Sequence, residues 1–300
     1  MIMQEKQSYP GGKSGSGIYQ RIINLIPPHR ILIVPFAGHC GIVRNIRPAE
    51  ETIVIDQSEK VCQWWHDWSR SKKGRSIEIH HTDGIEYLRI AFGLTRYRVA
   101  KACDTGSSDK RSQVAGSRST SPPMSATSAG AKKCCVARET HEIAATLSSD
   151  AFQLGTAATL GDMAKAFIFA DPPYVMSERS TGRIYDFEMT DADHIRLLDV
   201  LTQIDATRYR VMVCGYQSDL YQPLNRWNSI EHRVPTRGGL QDEVIWMNYY
   251  TSSVLHDYRY VGSGRRSRER IRRRQINWRK QLAAMQPLER AAMLDAITRG

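Results

Sequence analysis

Several features are scarce in this 300-residue chain, and each absence narrows what it can be. Apolar runs such as Ile31 to Val34 stop far short of the roughly twenty residues a membrane-spanning helix needs, so a helical bilayer span is excluded. No secretory signal opens the sequence. The six cysteines, Cys40, Cys62, Cys103, Cys134, Cys135 and Cys214, form no C-x-x-C pair and no framework spacing, which predicts reduced thiols in a cytoplasmic protein. Acidic residues are outnumbered, 31 against 42 Lys plus Arg, for a net charge of +11 and a pI near 9.5. That balance favours a polyanionic partner, nucleic acid first and a membrane surface second. Hydrophobic residues make up 41% of the chain, enough for one sizeable core with room for an insertion.

The first ninety residues alternate strand and helix signals. Ile31–Val34, Thr52–Ile55 and Ile77–His80 read as strands, separated by helical stretches at Cys40–Ile46 and Glu59–Trp68, which predicts βαβ units and a parallel sheet. From about Thr95 to Lys165 the pattern dissolves into Ser, Thr, Ala, Gly and Lys, as in an inserted segment that is either a mobile basic arm or a solvated loop. The sheet resumes at Ala166–Ala170 and Tyr209–Cys214. Between them lies a helix from Thr190 to Ile204, with Thr190 and Asp193 offering an N-cap. Ser229–Val234 and Glu243–Tyr249 flank Gly238 and Gly239 and read as an antiparallel hairpin. The domains expected are residues 1–94 with 166–255 as one α/β body, 95–165 as the insertion, and 256–300 as a basic helical extension. In that extension Arg265, Arg266, Arg270, Arg273 and Arg274 are candidate phosphate contacts; the alternative is a solvated helix whose Ile271, Trp278 and Leu282 dock on the body.

Four places in the sequence carry chemistry. Asp171, Pro172, Pro173 and Tyr174 follow the apolar run Phe167–Ala170, so a buried strand delivers a carboxylate, two donor-free prolines and an aromatic ring to its carboxyl end, where open α/β sheets bind ligands. Asp171 and the Pro172 carbonyl suit an exocyclic amine, and Tyr174 a ring face; the simpler reading is a strand-ending turn. Pro35, Phe36 and Gly38 lead into a glycine turn before a helix, a site for a nucleoside, although G-x-x-G stands where a dinucleotide fingerprint would have G-x-G-x-x-G. Asp56 and Asp83 end the second and third strands, placed either for a ribose and an adenine or for capping the helices that follow. Tyr9 and Lys13 bracket Pro10, Gly11 and Gly12 as a ring and a cation near the N-terminus.

Taken in order, Tyr9-Pro-Gly-Gly-Lys13, Pro35-Phe-Ala-Gly38, Asp56, Asp83 and Asp171-Pro-Pro-Tyr174 resemble the motifs of Dam-type, N6-adenine-specific DNA methyltransferases over about Tyr9 to Tyr250. The resemblance implies a Rossmann-like α/β fold with a mostly parallel seven-stranded sheet ending in an antiparallel hairpin. It implies S-adenosyl-L-methionine as cofactor, bound by Tyr9, Lys13, Pro35, Phe36, Gly38, Asp56, Asp83 and Asp171. Asp171 to Tyr174 would hold a flipped adenine of double-stranded DNA, with no metal required. Cys40 stands where the family usually has a second glycine. Alternatives are methylation of another amine, in RNA, cytosine or a protein glutamine, or a non-catalytic nucleic-acid-binding protein of the same fold. A zinc site at Cys103, Cys134, Cys135 and His141 lacks the usual ligand spacing.

Overall fold

The computed structural model describes residues 13–15, 17–71, 76–94, 164–179, 182–236, 239–251 and 253–299. Seven strands form one sheet: β1 (His29–Val34), β2 (Glu51–Asp56), β3 (Ile77–His81), β4 (Ala164–Ala170), β5 (Tyr209–Gly215), β6 (Asn228–Thr236) and β7 (Gly239–Met247). Their order is β3-β2-β1-β4-β5-β7-β6. The first five are parallel, and β7 runs antiparallel between β5 and β6. This is the Rossmann-like α/β sheet with a closing hairpin that the sequence predicts.

Why these segments become strands is visible in which face each residue serves. Along β1, Ile31 and Ile33 join the core on one side of the sheet while Leu32 and Val34 join the core on the other. In β4, Ile168 and Phe167 divide in the same way. A strand covered on both faces needs apolar residues at every position, which is why these segments read as continuous rather than alternating hydrophobic runs. Helices α1 (Ile18–Ile23), α2 (Gly41–Asn45) and α3 (Glu59–Ser71) supply Ile22, Ile42 and Trp65 to one core. Helices α4 (Gly84–Ala91) and α5 (Asp191–Gln203) supply Leu88 and Leu197 to the other.

The predicted cap of α5 is present: Thr190 Oγ1 accepts from the Asp193 amide at 3.3 Å and Asp193 Oδ2 accepts from the Thr190 amide at 2.9 Å. Most element boundaries shift by one to four residues, and two of these shifts follow from strand pairing. β4 begins at Ala164, two residues inside the expected insertion, because its first residues pair with β1 through His29↔Ala164. β7 begins at Gly239 and ends at Met247, since the hairpin register runs unbroken from Asn228↔Met247 to Thr236↔Gly239.

The basic extension holds two helices, α6 (Arg265–Ala284) and α7 (Pro287–Arg299). The stretch before them belongs to the body: the His256 ring stacks on His29 at 3.9 Å, and Asp257 Oδ2 accepts from the Arg47 amide at 2.9 Å. No helix among the described residues is long and apolar enough to cross a membrane.

Candidate active site

Because β1 to β5 are parallel, their carboxyl ends share one edge of the sheet. The chain moves outward through β2 and β3 on one side of β1 and through β4 and β5 on the other. The crevice at that switch point, between the ends of β1 and β4, is where such sheets leave room for a ligand. A cavity of about 320 Å³ lies there, bordered by Phe36, Gly38, Asp56, Asp83, Asp171 and Pro173. Six residues from four separated motifs thus face one space.

The loop after β1 is shaped by backbone constraints. Gly38 has φ of +42°, a left-handed conformation that favours glycine. Its amide donates to Asp56 Oδ2 at 2.8 Å, and its carbonyl accepts from Trp65 Nε1 at 2.7 Å. Asp56 Oδ1 takes the Ser58 amide at 2.8 Å. Both oxygens of Asp56 therefore organise the loop and the start of α3, and burial raises its pKa despite these bonds. Asp83 caps α4, accepting at Oδ1 from the amides of Ile85 and Glu86 at 2.8 and 2.9 Å, while Oδ2 accepts from Gln57 Nε2 at 2.5 Å. A carboxylate has about four lone-pair sites, so both acids keep acceptor capacity. Gly84 is obligatory next to them: a Cβ there would sit 1.9 Å from the Pro35 carbonyl oxygen.

Lys13 reaches the end of β4 from the N-terminal segment, with φ of +46°, an uncommon conformation for a residue with a side chain. Its Nζ lies 3.0 Å from Asp171 Oδ1 and 2.6 Å from Glu243 Oε1. It also donates to the Tyr174 hydroxyl, which in turn contacts Glu243 Oε1 and lies 3.2 Å from Asp171 Oδ1. The side chains of Lys13, Asp171 and Glu243 are 6, 13 and 2% exposed, so the cluster sits out of water. Burial works against the Lys13 charge, but Asp171 and Glu243 together more than offset it and its pKa rises well above that of an ordinary lysine. Asp171, sharing that one cation with a second acid, is pushed up to about 6 by burial, with Lys13 opposing and Glu243 adding to the rise.

Tyr174 lies buried beneath the motif, edge-on to the Tyr216 ring at 4.5 Å, while Pro173 borders the cavity. Tyr9 falls outside the described residues. Burial raises the thiol of Cys40, beside the cavity, to about 12, and that of Cys214, so neither offers a thiolate nucleophile.

A further part of the cavity lining comes from residues that the motif spacing did not single out. Arg179 Nη1 and Nη2 meet Glu188 Oε1 and Oε2 at 3.0 and 2.7 Å, with side chains 3 and 6% exposed. Arg179 Nε also donates to the Tyr174 carbonyl at 2.6 Å, and Glu188 Oε1 takes the amides of Ile184 and Tyr185. This clamp fixes the segment carrying Tyr185 and Phe187 at the cavity edge. Glu243 was likewise missed. Its partner Lys13 is 230 positions away, and no local spacing reports such a pairing.

The five arginines proposed for phosphate lie elsewhere. Arg265, Arg266, Arg270, Arg273 and Arg274 border one groove along α6, at helical spacing. No α6 residue is buried and Trp278 is 51% exposed, so the helix does not dock through that ring. Among the described residues no His, Cys, Asp or Glu group is arranged to hold a metal ion; Cys103, Cys134, Cys135 and His141 lie outside them.

No protein-family model and no curated protein matches the chain. Among solved structures it is similar to Escherichia coli yhhF, provisionally named a methyltransferase, at 9% identity and a TM-score of 0.34 over 82% of this chain and 90% of that one. An RNA methyltransferase, also provisionally named, from Pyrococcus horikoshii gives 8% identity and a TM-score of 0.33, covering 81% and 87%. A SAM-dependent methyltransferase from Agrobacterium tumefaciens gives 8% and 0.33, covering 77% of this chain and 60% of that one. At this level of similarity, the functional reading rests on the site itself.

Proposed function

We propose that the chain is a site-specific DNA adenine methyltransferase that moves a methyl group from S-adenosyl-L-methionine to the N6 amine of an adenine flipped out of double-stranded DNA. One observation carries the reading. Asp171 and Pro173 of the turn after β4 line the same cavity as the Phe36–Gly38 loop, Asp56 at the end of β2 and Asp83 at the start of α4.

The residues present fit the cofactor. A cavity of about 320 Å³ is within the range for small-molecule sites, roughly 300–1,000 Å³. The left-handed turn at Gly38 lets a ligand approach backbone closely, and Gly84 lets the Pro35 carbonyl pack tightly against the start of α4 at the cavity wall. Asp56 would take the ribose hydroxyls, Asp83 would face the adenine, and Phe36 would pack on the base. When bound, the cofactor supplies an electrophilic methyl group.

The chain's own residues prepare the acceptor. An adenine amine is a poor nucleophile because its lone pair is delocalised into the ring. Hydrogen bonds from that amine to an ionised Asp171 and to the Pro172 carbonyl favour a pyramidal nitrogen and stabilise the positive charge that develops on it. With a pKa near 6, Asp171 is charged at neutral pH yet basic enough to receive a proton from the amine. Flipping costs a few kcal/mol, offset by contacts to the ring from the aromatic lip and to phosphates from α6.

The test is product analysis with methyl-labelled cofactor offered to duplex DNA, RNA and protein in parallel. N6-methyladenine in DNA is the expected product. Label in RNA, in cytosine or in glutamine instead would replace the substrate, and label in none of them would remove the activity.

A further inference from the structure

We propose that Glu243 is the positioning residue of this site: it draws the Lys13 ammonium and the Tyr174 hydroxyl to itself and so keeps the Asp171 carboxylate from being wholly taken up by Lys13, available to accept from the substrate amine. The proposal rests on the amine-methylating reading of the cleft.

Glu243 sits within β7, beside the buried apolar residues Val244, Ile245, Trp246 and Met247, and is itself 2% exposed. A carboxylate there costs several kcal/mol of desolvation unless it is paired, and an apolar residue of similar size would serve stability as well or better. Stability alone therefore does not account for it. The geometry offers another reason. Lys13 Nζ is closer to Glu243, at 2.6 Å, than to Asp171, at 3.0 Å. With Asp171 alone, Lys13 would form a neutral pair and occupy the carboxylate. With Glu243 present, one cation serves two acids, and the cluster keeps one negative charge facing a centre that becomes positive.

His232 completes the arrangement without cancelling that charge. It is the register partner of Glu243 across the hairpin, and its Nε2 lies 3.1 Å from Glu243 Oε2, although not aligned as a hydrogen bond. Burial, with Arg21 and Lys13 nearby, lowers its pKa to about 4, so it stays neutral at physiological pH. The other titratable groups that sense Asp171 come from every side: Tyr185 on the lip, Cys40 before α2, Cys214 at the end of β5, Tyr216 just after it, and Tyr221 on the 3-10 turn Asp219–Arg226. Burial raises the pKa of each, so all are neutral near pH 6. Lys13 and Glu243 are the charged groups left to set the Asp171 titration.

The experiment follows that titration in the full chain by carbon-13 NMR of labelled aspartate, Asp171 being assigned with Asp171→Asn, alongside methyl transfer to duplex DNA as a function of pH. In Glu243→Gln the Asp171 midpoint should move to lower pH, because a neighbouring negative charge is gone and Lys13 turns wholly to Asp171. Turnover at its plateau should fall about tenfold or more with KM for DNA little changed, as misplacement of the acceptor predicts. Glu243→Asp keeps the charge but withdraws it; here turnover should fall while the midpoint stays near that of the wild type. This second variant also serves if Glu243→Gln does not fold. An unmoved Asp171 midpoint in Glu243→Gln, or full turnover in both variants, would overturn the proposal. A wild type that methylates nothing while its Asp171 midpoint still responds to Glu243 would instead overturn the functional reading and leave the coupling standing.

Discussion

The end of β4 and the surface of α6 both concentrate charge, and they treat it in opposite ways. Around Asp171, one ammonium and two carboxylates are held out of water at fixed distances of 2.6 and 3.0 Å. Along α6, nine of twenty residues are Arg or Lys with Glu269 the single acid, and none is buried. A buried charge acts through geometry, since low effective dielectric makes a small displacement costly. An exposed basic stripe acts through number, since each phosphate it neutralises adds a similar, salt-screened increment. On this account the first region selects the atom that reacts and the second keeps a polyanion near it.

Four changes would break or sharpen the contrast, taken from the largest effect down. Asp171→Ala should lower methyl transfer by about 10³-fold, the loss expected when an electrostatic partner of the developing charge is removed, while circular dichroism shows the fold retained. Activity within tenfold of the wild type would end its role. Arg179→Gln strands Glu188 in a nearly dry site, so unfolding by denaturant should show a loss of about 3 kcal/mol; no loss would mean that the clamp is dispensable. Replacing Arg266, Arg270, Arg273 and Arg274 together by Ala should leave the Asp171 titration untouched. The slope of log affinity for DNA against log salt should flatten by about 3 to 4, near one for each phosphate no longer neutralised. An unchanged slope would confine α6 to another purpose. The smallest effect is that of pH on the wild type.

This division also explains what could be read in the sequence. β1, β2 and β4 were legible because strands buried on both faces must be apolar throughout, and Asp171-Pro-Pro-Tyr174 was legible because its position at a strand end follows from that run. The basic stripe needed only composition. The buried cluster was half visible: Lys13 and Asp171 stood in recognisable turns, but Glu243 and His232 lay in a hairpin that alternation alone would place half in solvent. Their burial depends on a lysine from the far end of the chain and on the register of β6 with β7. Asp56 closes β2 as expected and Asp83 lies two residues past the end of β3, and each serves the turn-forming or capping use that was the simpler reading. The helical extension was anticipated as one piece and not its division into α6 and α7, although Pro287 at the first position of α7 is a favoured start.

The pH dependence bears most directly on the central claim, that an ionised Asp171 in a buried cluster receives the amine. A carboxyl raised to about 6 is charged above that pH and neutral below it, so the acceptor is present at neutral pH and is lost as pH falls through 6. The single-turnover rate of methyl transfer to saturating DNA should therefore rise about tenfold per pH unit below 6 and level off above it. A rate that stays flat from pH 5 to 8, or that rises as pH falls, would contradict the account.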